Sequence, residues 1–127
     1  MVKIVISAEY EGTGGIGNFR LSDEAVEYLV SKKGWACYTN VDEVDESKPY
    51  IFQWENHYIA CKVEYVIPIT TDLRTHPDLV ECVENLGKDA SGYYSNLKVI
   101  EIPDTIDWVL KQCNGIEWVA ERHQEWH

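Results

Sequence analysis

Residues 77–126, PDLVECVENLGKDASGYYSNLKVIEIPDTIDWVLKQCNGIEWVAERHQEW, read as one continuous unit: helix, small-residue turn, strand, then hairpin. His76 stands in a capping position, and Pro77 is preset for a first helical turn, where its missing N–H would have had no partner. Leu79, Val80, Val83, Leu86 and Ala90 share one helical face, with Glu81, Glu84 and Lys88 outside it. Ser91-Gly92 follows, and glycine there can take the positive φ that ends a helix. Leu97, Val99, Ile100 and Ile102 form a short β run that Pro103 stops. Asn114-Gly115 between Ile106–Cys113 and Ile116–Arg122 is a strong hairpin signal.

Working outward, Val2–Ile6 is a short apolar run of the kind that starts a buried strand. Ser22 is a good N-cap for a helix carrying Asp23 and Glu24 in its first turn, where the dipole favours negative charge. Ala25, Val26, Leu29 and Val30 give that helix its buried face, and Lys32, Lys33 and Gly34 suit its end. Trp35–Tyr38 reads as a strand. Tyr50–Trp54 and Tyr58–Val63 read as an antiparallel pair, and Tyr65–Ile69 as an extension of the same sheet limited by Pro68. Residues 70–76 read as a polar connection. The expected fold is α+β: an antiparallel, partly barrel-like β-sheet decorated by two helices, in a single ligand-binding domain over 1–127. At 127 residues and 45% apolar, the chain has room for one core.

The formal net charge is −11, with three arginines and eight lysines against twenty-two carboxylates. Such a chain is repelled by the phosphates of DNA or RNA, so no nucleic-acid polymer is expected as a partner. An anionic ligand must be small, and a local cationic pocket must overcome the global field. No apolar run reaches membrane-spanning length and no charged-then-apolar leader opens the sequence, so no membrane partner and a cytoplasmic location are expected. Cys37, Cys61, Cys82 and Cys113 are unevenly spaced with no C-x-x-C, and read as buried thiols in a reducing compartment.

Gly12, Gly14 and Gly17 satisfy G-x-G-x-x-G, in which Cβ-free residues let backbone N–H groups approach phosphate oxygens. The context is wrong for a dinucleotide fold, because the preceding strand ends early and the helix starts only at Ser22. A surface flap is left, either idle or closing over a small ligand. Arg20 lies between that flap and the helix. It is either solvated or placed to meet a phosphate held by the flap.

Residues 42–48 are acidic but lack the glycine and terminal glutamate of a calcium loop. His123 and His127 stand at metal-clamping spacing, yet no catalytic glutamate accompanies them, and they read as surface. No metal and no cofactor are expected. Trp118 and Trp126 read as anchors of the tail, on the sheet or across a dimer contact. There is no G-x-S-x-G elbow and no Walker loop, and abundant carboxylates alone are no catalytic signal. The positive signal is aromatic residues with a few arginines and small-residue loops, since aromatic faces stack on bases and arginine grips phosphates. Ordinary packing must explain most of the fifteen aromatics.

On HPDLVECVENLGKDASG, LKVIEIPD and DWVLKQCNGIEWVAERH, together with VKIVIS and FRLSDEAV, the chain resembles the phage Thoeris anti-defence sponges of the first-described type. The likeness covers about two thirds of the chain and is densest from His76 to His123. It implies a non-enzymatic binder that sequesters cyclic ADP-ribose isomers made by TIR-domain proteins, as a dimer or larger homo-oligomer with sites near subunit contacts. It also implies that some members hold cyclic oligonucleotides at a second site. The family's arginines against phosphates would correspond to Arg20 and Arg122, with Arg74 third. Its aromatic would be Tyr94 or Tyr93, and Ser91 and Gly92 would offer a hydroxyl and backbone N–H groups. The polar base contact is Asn96 or Thr105. Two other classes compete with this expectation: an acidic inhibitor steered to a basic protein surface, and a nucleotide-processing enzyme using carboxylates.

Overall fold

The computed structural model describes residues 1–8, 19–56, 62–66, 71–92, 95–113 and 116–121. The chain runs β1 (Val2–Ser7), α1 (Asp23–Lys33), β2 (Ala36–Tyr38), β3 (Tyr50–Asn56), β4 (Lys62–Val66), α2 (Thr71–Arg74), α3 (Pro77–Leu86), β5 (Leu97–Ile102), β6 (Trp108–Cys113) and β7 (Ile116–Glu121). Short 3-10 turns occupy Val41–Glu43 and Gly87–Ala90. The class is α+β. None of the described helices is long and apolar enough to cross a membrane.

No closed barrel forms among the described strands; they make three small sheets. β1 pairs antiparallel with β5, with Ile4 opposite Ile100. β2 runs parallel to β3, and β3 antiparallel to β4, with Trp54 opposite Glu64. β6 and β7 form the hairpin expected from Asn114-Gly115, with Cys113 opposite Ile116. The turn residues themselves lie outside the described residues. β3 runs two residues further than its aromatic pattern suggests, and its partner is described over Lys62–Val66; residues 58–61 and 67–69 of the expected strands lie outside the described residues. The polar connection before His76 contains the one-turn helix α2.

Both longer helices follow their local signals. Ser22 Oγ accepts from the Ala25 N–H at 3.1 Å, and Gly34 closes α1 in the left-handed region at φ 72°. His76 caps α3 unusually, its Nδ1 accepting from the Asp78 N–H at 3.1 Å. That geometry requires an unprotonated Nδ1. α3 ends at Gly87, with φ 57° and ψ −132°, and not at Gly92 as the sequence suggests.

The core is Val5, Leu21, Ala25, Leu29, Trp35, Ile51, Leu79, Val83 and Leu97 with their neighbours, where α1 and α3 pack against each other beside β1 and β5. Val30 faces outward instead of inward. Outside the core, Glu81 joins the helices: Tyr28 donates to it at 2.7 Å and Lys33 pairs with it at 2.5 Å. The Lys33 bond first, and the Tyr28 bond second, hold the Glu81 carboxyl below its ordinary range. Of the described cysteines only Cys82 is buried; Cys37 and Cys113 are exposed, against the expectation of buried thiols.

Candidate functional site

Two segments about seventy residues apart in sequence are sewn together beside the core. Leu21 and Ser91 form an isolated antiparallel bridge, and the Gly92 N–H donates to the Arg20 carbonyl at 2.9 Å. The Ser22 N–H donates to the Ala90 carbonyl at 2.9 Å, and the Ser22 hydroxyl to the Asp89 carbonyl. The Arg20 N–H also donates across to Ser95 Oγ at 2.8 Å, and within the second segment the Leu97 N–H donates to Ser91 Oγ at 2.9 Å. The register depends on glycine at 92. A Cβ there would sit 2.6 Å from the Leu21 carbonyl oxygen and 3.1 Å from the Arg20 carbonyl carbon. Gly92 is thus required for close backbone approach, not for positive φ.

A second cluster adjoins the first. The Arg74 side chain is completely buried, and its two Nη atoms donate to the two carboxylate oxygens of Glu117, at 2.5 and 2.8 Å. Nη1 also reaches the Val5 carbonyl at 3.3 Å. Glu117 Oε1 accepts from the Ser7 N–H at 2.8 Å. The Phe19 ring lies over the guanidinium, with its centroid 3.6 Å from Cζ. Desolvating a full positive charge costs several kcal/mol unless a counter-charge and hydrogen bonds surround it, and this shell supplies both. Among the described residues Arg74 Nε has no hydrogen-bond partner. A face-on aromatic ring tolerates such a group better than an aliphatic wall, because its negative quadrupole faces the cation.

The sequence-derived residues divide accordingly. Arg20, Ser91 and Gly92 meet at the junction. The N–H groups of Ser91 and Gly92, expected to face a phosphate, are instead bonded to the Lys88 and Arg20 carbonyls. The Ser91 hydroxyl accepts from Leu97 and keeps its proton as the group it can donate. Arg74 is next to the junction through Phe19 but is no free phosphate ligand, because Glu117 already neutralises it. Tyr93, Tyr94 and Arg122 lie outside the described residues, as do the glycines at 12, 14 and 17 and both tail histidines. Of the two base-contact candidates, Asn96 borders the junction, its N–H on Ser7 Oγ at 3.3 Å, while Thr105 is exposed near the Asp104 turn.

Sequence reasoning missed Phe19, Ser7, Ser95 and Glu117. The first three carry no pattern signal. Glu117 carries a misleading one, since it alternates with Ile116, Trp118 and Ala120 and so looks like the solvent side of a strand. Among the described residues, no cluster of three metal-ligating side chains exists. A groove of 240 Å³ along α1, lined by Glu24, Glu27, Tyr28, Ser31 and Lys32, shares no lining residue with the junction, and its two carboxylates suit it poorly to a phosphate. Comparison with protein-family models, curated proteins and solved structures finds no match to this chain.

Proposed function

We propose that the protein is an anti-defence sponge that binds a TIR-derived cyclic ADP-ribose isomer and withholds it without cleaving it, in the cytoplasm of an infected cell and as a dimer or larger homo-oligomer. The observation that carries this reading is the convergence of Arg20, Ser91 and Gly92, which the resemblance assigned to one ligand and which the chain keeps about seventy residues apart. Arg20 stands opposite Gly92 in this register and contributes a cationic side chain to a strongly acidic molecule, Ser91 stands opposite Leu21 on the alternate face, and the backbone that joins them is cross-linked by hydrogen bonds. Sequestration needs a rigid site with little left to order on binding, which such cross-linking provides.

Calorimetric titration of the purified chain with cyclic ADP-ribose isomers tests the reading, followed by heat release and analysis of the freed ligand. Saturable binding with intact ligand recovered supports it, and light scattering of the same sample gives the subunit number. Recovery of a linear or hydrolysed product assigns the protein to nucleotide processing instead. Absence of binding heat for every isomer removes the sponge reading.

A further inference from the structure

We infer that the buried Arg74–Glu117 pair is a positioning device, which fixes the Arg20–Gly92 junction through Phe19 and makes the order of that junction depend on docking of the β6–β7 hairpin. Among the described residues of the hairpin, Glu117 alone is buried. The hairpin is therefore pinned to the body by a charge rather than by an apolar plug. A buried ion pair is a poor source of stability compared with well-packed apolar groups, but it is directional. Here the directed bonds converge from α2 through Arg74, from β7 through Glu117, and from β1 through the Val5 carbonyl and the Ser7 N–H.

Phe19 is the transmitting residue. Its ring lies over the guanidinium, the centroid 3.6 Å from Cζ, and is itself buried. The next residue along the chain is Arg20, whose N–H is bonded to Ser95 and whose carbonyl is bonded to Gly92. One peptide unit thus separates the pinned ring from the junction, too short a link to absorb a displacement of either end. If the hairpin leaves, Arg74 loses its counter-charge. A bare buried guanidinium then has to move toward water, and Phe19 loses the face it rests against. Any partner or second subunit that grips the hairpin would act on the junction by this route.

Amide hydrogen exchange of the full chain, followed residue by residue, tests the inference without any ligand. The variants are Phe19→Leu, which keeps an apolar side chain but removes the ring face, and Glu117→Gln, which keeps an acceptor for Ser7 but removes the charge. The expected result in Phe19→Leu is exchange about tenfold faster at Arg20 and Gly92, with the amides of Val26 and Leu29 in α1 unchanged, the signature of local opening. Glu117→Gln should add Ser7 to the loosened set. Loss of protection spread evenly over α1 and the junction, or none at Arg20 and Gly92, overturns the inference. If Glu117→Gln does not fold, exchange in Phe19→Leu decides the matter by itself. The consequence for the ligand rests on the sponge reading: cyclic ADP-ribose should bind Phe19→Leu about tenfold more weakly, an effect of about 1.4 kcal/mol. Failure of binding in the unaltered protein would remove that consequence while leaving the exchange result to stand or fall alone.

Discussion

Arg74 and Glu117 face each other through two hydrogen bonds, 2.5 and 2.8 Å long, and their pairing reverses the hairpin relative to its own apolar pattern. Alternation along Ile116–Glu121 would put Ile116, Trp118 and Ala120 inside. Glu117 is 6% exposed and Trp118 is 43% exposed. A side chain on one strand face excludes its neighbours from that face, so burying Glu117 turns Trp118 outward. The exchange is physically reasonable because an unneutralised buried guanidinium costs more than leaving one indole half in water.

Single and double replacements of this pair should therefore be strongly non-additive. Arg74→Met or Glu117→Leu alone leaves a buried charge without its partner, and each should lower unfolding free energy by about 3–5 kcal/mol. The double variant removes both charges, and its cost should fall well below the sum of the two. Urea unfolding of the four proteins gives the cycle. Additive losses would mean that the two residues act independently.

Gly92→Ala tests the junction from the backbone side. The added methyl meets the Leu21 carbonyl oxygen at 2.6 Å, well inside contact distance, and neither strand can yield without breaking the Arg20–Gly92 hydrogen bond. Overpacking of this kind costs about 1–3 kcal/mol. A melting temperature equal to that of the unaltered chain would show that the two segments approach less closely in solution.

The parts of the fold that are legible in the sequence are those decided by near neighbours. Ser22, Asp23, Lys33 and Gly34 delimit α1 by capping and dipole rules, and those interactions close within one helical turn. The β6–β7 hairpin follows from two turn residues in the same way. Gly92 stands out in the sequence for the wrong reason, because its requirement comes from Leu21, a residue far away in the chain. Arg74 resembles a phosphate ligand because a sequence reveals a charge but not its counter-charge; the anion it meets is Glu117, 43 residues on. The separation of the described strands into three sheets instead of one barrel-like surface depends on the same kind of distant pairing.

Cys82 should make its presence felt at alkaline pH. Burial pushes its thiol from an ordinary 9.0 up to about 11, with a smaller contribution from Glu81. In the unfolded chain the thiol ionises near 9, whereas in the folded chain it stays protonated, so its contribution is fully present below pH 9 and is lost as pH rises toward 11. That loss is on the order of 2 kcal/mol. Urea midpoints measured at pH 8.5 and 11 should therefore converge in Cys82→Ala relative to the unaltered protein, whose other titrating groups are the same. At pH 8, a soluble alkylating reagent should modify Cys37 and Cys113 but spare Cys82 until the chain unfolds. Equal labelling of Cys82 in the native state would contradict its burial.

Arg20 tests the sponge reading at the junction through its side chain. Its structural bonds to Ser95 and Gly92 are made by its N–H and carbonyl, which alanine retains. Arg20→Ala should therefore keep these backbone bonds of the junction while removing the guanidinium that the sponge reading assigns to a phosphate. The expected loss is about 1.5–3 kcal/mol of ligand affinity, the scale of a hydrogen bond to a charged group. Arg20→Lys should recover only part of it, since an ammonium keeps the charge but not the planar fork. Arg74→Ala should instead weaken binding and stability together, because its charge is used inside the protein. Titration calorimetry and a urea melt on the same three variants give both readouts. If Arg20→Ala binds as the unaltered chain does, the anion site lies elsewhere, and the meeting of Arg20 with Ser91 and Gly92 serves the fold alone.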